Sequence, residues 1–492
     1  MVTFCTGKWR RIAGILLLLP AISMRAQQQT QPAAAVSYSL PSLIDSAQRH
    51  LPVLRQKKAL VDAAKAGITD ARHAFLPDSY LGDEVSVGTD NAVPGSYYSF
   101  GLIPSVSGGV NSSNNYQAAG GNIAFLSSEY DLVTFGLKKA TVHRAEAGAG
   151  LSQADLDREV YLLKWQIAKL WLDIRKGQLQ LGIDSENISR YSQLYTVIQA
   201  VTQSGIKPGA DSSLAMAELS SARTSYNQTD GQIRQLYAQL SYMTGIGADR
   251  IIIDTSGIGK NLVARNPSGT ALALSGTALV LSGTAPASLG PDSGSLHNPL
   301  TDYYVKQKLL YQQTEDLVSK SYLPKIMLTG MGWARGSSID YNDNYKSVSS
   351  GWGYQRFNYL VGLTFSYNLF NMVHRRDKEA IVRNESMASD FDLQQQQLSL
   401  QNVGNKAVEG ILTAVKNLGE IPIQIRSAQD AFSQKRAQYK AGIINLVDLT
   451  NAGYVLYRSQ SEYVQAVSDW LLANLDKAAS NGNLDLFIQT IQ

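Results

Sequence analysis

Two stretches of this chain say the same thing. Residues 204–226 read SGIKPGADSSLAMAELSSARTSY and residues 441–463 read AGIINLVDLTNAGYVLYRSQSEY. Gly205-Ile206 recurs as Gly442-Ile443, Asp211 as Asp448, Ala215 as Ala452, Leu219 as Leu456 and Tyr226 as Tyr463, always 237 residues on (448 less 211, for example). Tyr130-Asp131-Leu132 and Lys138-Lys139 return at the same offset as Tyr367-Asn368-Leu369 and Arg375-Arg376. Earlier in each copy the offset is 247: His50-Leu51-Pro52 matches His297-Asn298-Pro299, and Phe75-Leu76-Pro77 matches Tyr322-Leu323-Pro324. The ten extra residues therefore fall in one place, between Pro77 and Tyr130, as a surface loop tolerates. Such a chain folds as two copies of one unit, here 37–245 and 297–481, followed by a C-terminal tail at 482–492.

Both copies share a grammar. A helix of about 35 residues ends at a Leu-Pro, a Gly/Ser/Asn/Tyr-rich stretch follows, then a very long helix, a Gly-Ile turn and a second helix. Residues 246–296 between them differ in kind: Ser-Gly-Thr-Ala recurs at 268, 275 and 282 in an uncharged linker or short added segment.

The long helix of the first copy is the most regular element. Leu156, Val160, Leu163, Ile167, Leu170, Ile174, Leu181, Ile188, Tyr191, Tyr195 and Ile198 follow alternating steps of four and three, interrupted at Gly177 and Asp184. That is a heptad seam. A second stripe, Trp165, Ala168, Leu172 and Leu179, puts a further neighbour alongside. With no proline from Leu137 to Gln203, the helix would be on the order of 100 Å long at about 1.5 Å per residue. The second copy repeats the pattern, with Pro422 expected to kink it. A globular core does not need such lengths; a rod or a tube does.

The stretch RFNYLVGLTFSYNL sets Phe357, Tyr359, Val361, Leu363, Phe365, Tyr367 and Leu369 in alternation with Asn358, Leu360, Gly362, Thr364, Ser366 and Asn368. Period two marks a strand with an aromatic face, fit for a soluble sheet or for a membrane barrel. Stretches near 78–90, 117–129 and 325–337 are weaker strand candidates. A leader at 1–26, together with the helix lengths and the aromatic density, favours the membrane over a soluble sheet: Lys8, Arg10 and Arg11 precede an apolar run from Ile12 to Pro20, the layout of a secretory signal. The run is too short to span a bilayer, which takes roughly 20 residues. No later stretch is apolar enough for a transmembrane helix, so a membrane span must be made of strands. Four strands per chain cannot close a barrel, since membrane barrels have at least eight. Three chains give twelve, and a transporting barrel must be wider than eight strands, which side chains fill.

Several classes are excluded. The leader carries Lys8, Arg10, Arg11 and Arg25, so its removal takes the formal charge from +4 to near zero, with no basic surplus for nucleic acid. The only cysteine, Cys5, leaves with it. His50, His73, His143, His297 and His374 are dispersed, giving no metal site, and no phosphate loop or nucleophile elbow occurs. Asp155 with Asp157, and Asp377 with Glu379, do not face each other on helices. No enzyme or cofactor is expected.

The doubled Leu-Pro before a strand, the Tyr-Asx-Leu that ends the strand before a basic helix start, and the Gly-Ile…Asp turn together resemble the TolC-like outer-membrane efflux proteins, from about Tyr38 to Asn481. The resemblance implies a mostly α homotrimer with a twelve-stranded outer-membrane β-barrel continued by a long periplasmic α-helical barrel. It implies an outer-membrane channel of a tripartite efflux or type I secretion system, receiving substrates from a periplasmic adaptor and an inner-membrane pump. The turns at Gly205, Ile206, Gly442 and Ile443 would then form the adaptor-contacting tip. Asp448, with Asp211 and Asn451, would line the channel entrance. Asn451 stands where some members carry a second aspartate, and Ile444 where some carry a latching arginine. The residues themselves leave two readings for Asp448, a helix cap or a ring of three carboxylates, and favour a cap for Asp211. The alternative to a channel is a secreted coiled-coil scaffold or adhesin with no pore.

Overall fold

The computed structural model describes residues 36–92, 110, 112–204, 209–253 and 298–491. The leader, the Gly205-Ile206 turn, His297 and most of the 246–296 segment lie outside the described residues.

Strand β1 (Val36–Tyr38) leads into helices α1 (Leu40–His50) and α2 (Pro52–His73). The single helix expected here is thus two. Leu51 precedes a proline, which disfavours helical backbone, and it adopts φ −64° and ψ 121°. Strands β2 (Asp78–Gly88) and β3 (Ala119–Val133) follow, then α3 (Leu137–Gln203), α4 (Gly209–Thr244) and β4 (Ile251–Ile253). The second copy repeats the order: α5 (Pro299–Ser321), β5 (Lys325–Ser337), β6 (Arg356–Ser366), α6 (Asn371–Lys440) and α7 (Leu446–Ser480). The C-terminal tail is no appendage: α8 (Leu484–Thr490) buries Leu484 and Ile488 in the main core.

Helix α3 runs for 67 residues and α6 for 70, the latter continuing through Pro422. Every residue of the seam on α3 is buried or half-buried. Its two interruptions are explained by neighbours. A side chain at Gly177 would meet Ile233 Cγ1 at 2.7 Å, so α4 approaches closely there. Asp184 is buried and accepts hydrogen bonds from Gln180, Thr229 and Tyr457.

Helix α3 packs on α2, α4, α5 and α7, and α6 packs on α5 and α7. The main core gathers Leu40, Leu43 and Ile44 of α1, Ile167 to Ile174 of α3, Leu240 of α4 and Leu471 and Leu475 of α7. Beside it the parallel pair β1–β4 joins Val36–Tyr38 to Ile251–Ile253, so the 246–296 segment begins as part of the body. The ring of His50, at the end of α1, lies against Gly245, whose φ of +73° and closeness to that ring leave no room for a side chain. Beyond one end of the helices the four long strands form one antiparallel sheet in the order β2-β3-β5-β6, and the β3–β5 pairing joins the two copies.

Candidate functional site at the tip and the sheet

At the end of the helices farthest from the sheet, α6 stops at a glycine. Gly442 has φ +73°, its N–H donates to the Tyr439 carbonyl, and the Ile443 N–H donates to that of Gln438. This pair of bonds is the Schellman arrangement, which a residue without Cβ adopts at least cost. Asn445 then starts α7: its side chain accepts from the Asp448 N–H at 2.8 Å. The cap of this helix is therefore Asn445, and Asp448 is the third residue inside, with an exposed side chain. A carboxylate in a first turn faces the positive end of the helix dipole.

Asp211 occupies the matching place in the first copy. Because α4 is already helical at Gly209, Asp211 lies within the first turn and does not cap it, contrary to the sequence expectation. It sits near Tyr439 of the other copy: burial first, and the Asp211 charge second, raise the pKa of that phenol. Asn451 is exposed, one turn beyond Asp448. Ile444 packs onto the apolar cluster of the tip formed by Ile198, Ala215, Phe432, Leu446, Leu449 and Leu456. An arginine at that place would have to give up this contact.

At the other end, the register sets Ala334, Gly332, Gly330, Leu328 and Ile326 of β5 opposite Phe357, Tyr359, Val361, Leu363 and Phe365 of β6. Carried across β3 and β2, this face adds Leu126, Leu81 and Val85. Tyr359 is 86% exposed and Leu81 84%. The one carboxylate on this face within the described strands, Asp83, accepts from the Tyr354 hydroxyl at 3.1 Å. The other face carries Glu84, Glu129, Asp131, Lys325, Arg335 and Arg356. One greasy and one charged face is the division that a membrane barrel makes between lipid and lumen. Strands β2 and β6, the two edges, have no further partner strand among the described residues.

Among the described residues no group of acidic, histidine or cysteine side chains could hold a metal ion. Asp155 is engaged by Lys57 and Arg158, Asp157 by Gln153, and Glu379 by Arg375.

The family model of outer membrane efflux proteins matches residues 310–479, most of the second copy. Over those residues the chain is similar to this family of TolC-like proteins. By fold the likeness extends further. The outer-membrane channel OprN superposes with a TM-score of 0.71 at 16% identity, covering 90% of both chains. The outer membrane protein VceC of Vibrio cholerae gives 0.69 at 13% identity, over 90% of this chain and 96% of its own. The CmeC outer membrane channel of Campylobacter jejuni gives 0.66 at 13%, over 90% and 86%. Curated protein sequences yield no significant match. The matched domain and the shared fold are those of outer-membrane efflux channels.

Proposed function

We propose that three copies of this chain close one twelve-stranded barrel and one helical tube, and that the tube carries substrates outward from a periplasmic adaptor and an inner-membrane pump. The observation that carries this reading is the sheet: four long strands, apolar on one face and charged on the other, ending in two edges with no further partner among the described strands. An edge exposed in this way is a template for pairing, and β6 of one copy against β2 of the next extends the sheet without a break. Helices of 67 and 70 residues then suit a tube on the order of 100 Å.

In this assembly the turn at Gly442 and Ile443, with its counterpart at Gly205 and Ile206, forms the narrow end that meets the adaptor. Three Asp448 carboxylates surround the axis there, with Asn451 one turn above and Asp211 alongside. A ring of like charge at a constriction attracts cations and rejects anions. The ring has three charges and not six, because Asn451 is neutral.

The pore-free scaffold is the reading disfavoured by the apolar face of β6, which would be bare in water. Chemical cross-linking of detergent-extracted protein tests the choice. A ladder ending at three copies supports the channel; a single band at one copy rejects it.

A further inference from the structure

The apolar packing along the helices comes in two parts. The upper core holds Ile174 of α3, Leu240 of α4, Ile421 of α6 and Tyr463 of α7. The lower clusters, toward the tip, begin with Tyr191 and Ala222, and with Ala428 and Leu456. On all four helices the change comes at one level. Between Ile174 and Tyr191 stands Asp184, between Ala222 and Leu240 stands Thr229, and between Leu456 and Tyr463 stand Tyr457 and Ser461. Cross-helix bonds fix that level: Gln180 Nε2 donates to Ser461 Oγ at 3.0 Å, and Gln424 Nε2 donates to the adjacent Glu462 at 3.0 Å. Pro422 falls there too, where it deprives the Leu418 carbonyl of its helical partner.

At the centre of the layer is Asp184, only 1% exposed, on the seam where an apolar residue would be expected. It accepts from Thr229 Oγ1 on α4 at 2.6 Å, from Tyr457 OH on α7 at 2.8 Å and from Gln180 on its own helix at 2.9 Å. A buried carboxylate costs desolvation that an apolar side chain avoids, and replacing buried charge with apolar groups is often neutral or stabilising. Stability alone therefore does not account for it. Apolar contacts are non-directional and let helices slide or turn, whereas two cross-helix hydrogen bonds to one carboxylate fix three helices in one register.

We propose that this polar layer is a joint in the tube, and that Asp184 is the positioning residue that holds the tip-bearing ends of α3, α4 and α7 in the closed register. The inference rests on the channel reading and names the element that sets the state of its entrance. Tyr457 is the critical donor, because it joins the first copy to the returning helix of the second. The layer lies well above Asp448 and touches neither the tip turn nor the sheet.

The test is single-channel conductance of the purified assembly in planar lipid bilayers, with the melting temperature of each variant measured beside it. Tyr457→Phe and Thr229→Val each remove one donor and little volume. Both are expected to raise the time-averaged conductance several-fold with a small change in melting temperature. The triple change Asp184→Leu, Tyr457→Phe and Thr229→Val, which removes the carboxylate together with its two cross-helix donors, is expected to conduct most while melting no lower than the parent, a pairing that a merely structural role would not give. Leu240→Ala, in the upper core, serves as the contrast: a lower melting temperature with parental conductance. If Tyr457→Phe and Thr229→Val conduct as the parent does, the joint is refuted while the channel stands. If the parent itself forms no pore, the channel reading falls and the joint with it.

Discussion

Asn445 and Asp448 share one turn of helix and divide two tasks. Asn445 satisfies one of the first free N–H groups of α7, that of Asp448, and the Asp448 side chain is left exposed. Asn445→Ala should cost about 1 kcal/mol of stability, as the loss of a cap does, and lower the melting temperature without altering ion preference. Asp448→Asn should do the reverse: reversal potentials under a salt gradient shift toward the non-selective value, with the melting temperature nearly unmoved. Unchanged selectivity and cation block would show that the carboxylates do not form a ring. This division could have been read earlier, since an asparagine directly before Leu446-Val447 is a cap signal as strong as an aspartate. The resemblance drew attention to Asp448 instead. The deep tyrosines make a second residue-scale prediction. Burial pushes the Tyr191 phenol from 10.0 to about 12, and burial followed by the Asp184 carboxylate raises that of Tyr457. Both stabilise the fold as neutral phenols, so their contribution is complete below pH 10 and is lost as pH rises from there toward the raised values. Thermal melting followed from pH 8 to 12 should be flat and then fall, and Tyr191→Phe should fall less steeply.

At the scale of elements, alternation and heptad spacing were enough to find the long helices and the four long strands. Helix α3 runs from Leu137 to Gln203 inside a longer stretch without proline. What periodicity could not show was pairing across the chain. Three residues, Val36–Tyr38, have no detectable period, and only Ile251–Ile253 alongside makes them a strand. The break at Leu51-Pro52 was written plainly in the sequence, yet the flanking apolar spacing outweighed it. The two faces of the sheet give the prediction for this scale. Val361 lies mid-strand on the aromatic face, so Val361→Arg should cost about 2–4 kcal/mol against lipid and sharply reduce the share of protein recovered from outer membranes. Asn358→Arg, on the opposite face, should insert normally. Equal recovery of the two variants would mean that the faces are assigned wrongly.

For the whole molecule, the duplication supplies the geometry. Each copy contributes two strands and one long helical hairpin, β3 against β5 welds the copies, and β2 and β6 form the edges of the sheet. Twelve strands are the smallest closed set that this unit can make with an open lumen. The proposed trimer rests on that count, because a sheet edge in lipid must be paired. The polar joint was not legible in the sequence: Asp184 read as a flaw in the heptad until its partners, 45 and 273 residues away, were seen around it. The most direct test of the account is electron microscopy of the detergent-extracted protein. It predicts a three-fold particle in which a short barrel opens into a tapering tube of about 100 Å. Monomeric particles, or filaments without a central channel, would contradict it.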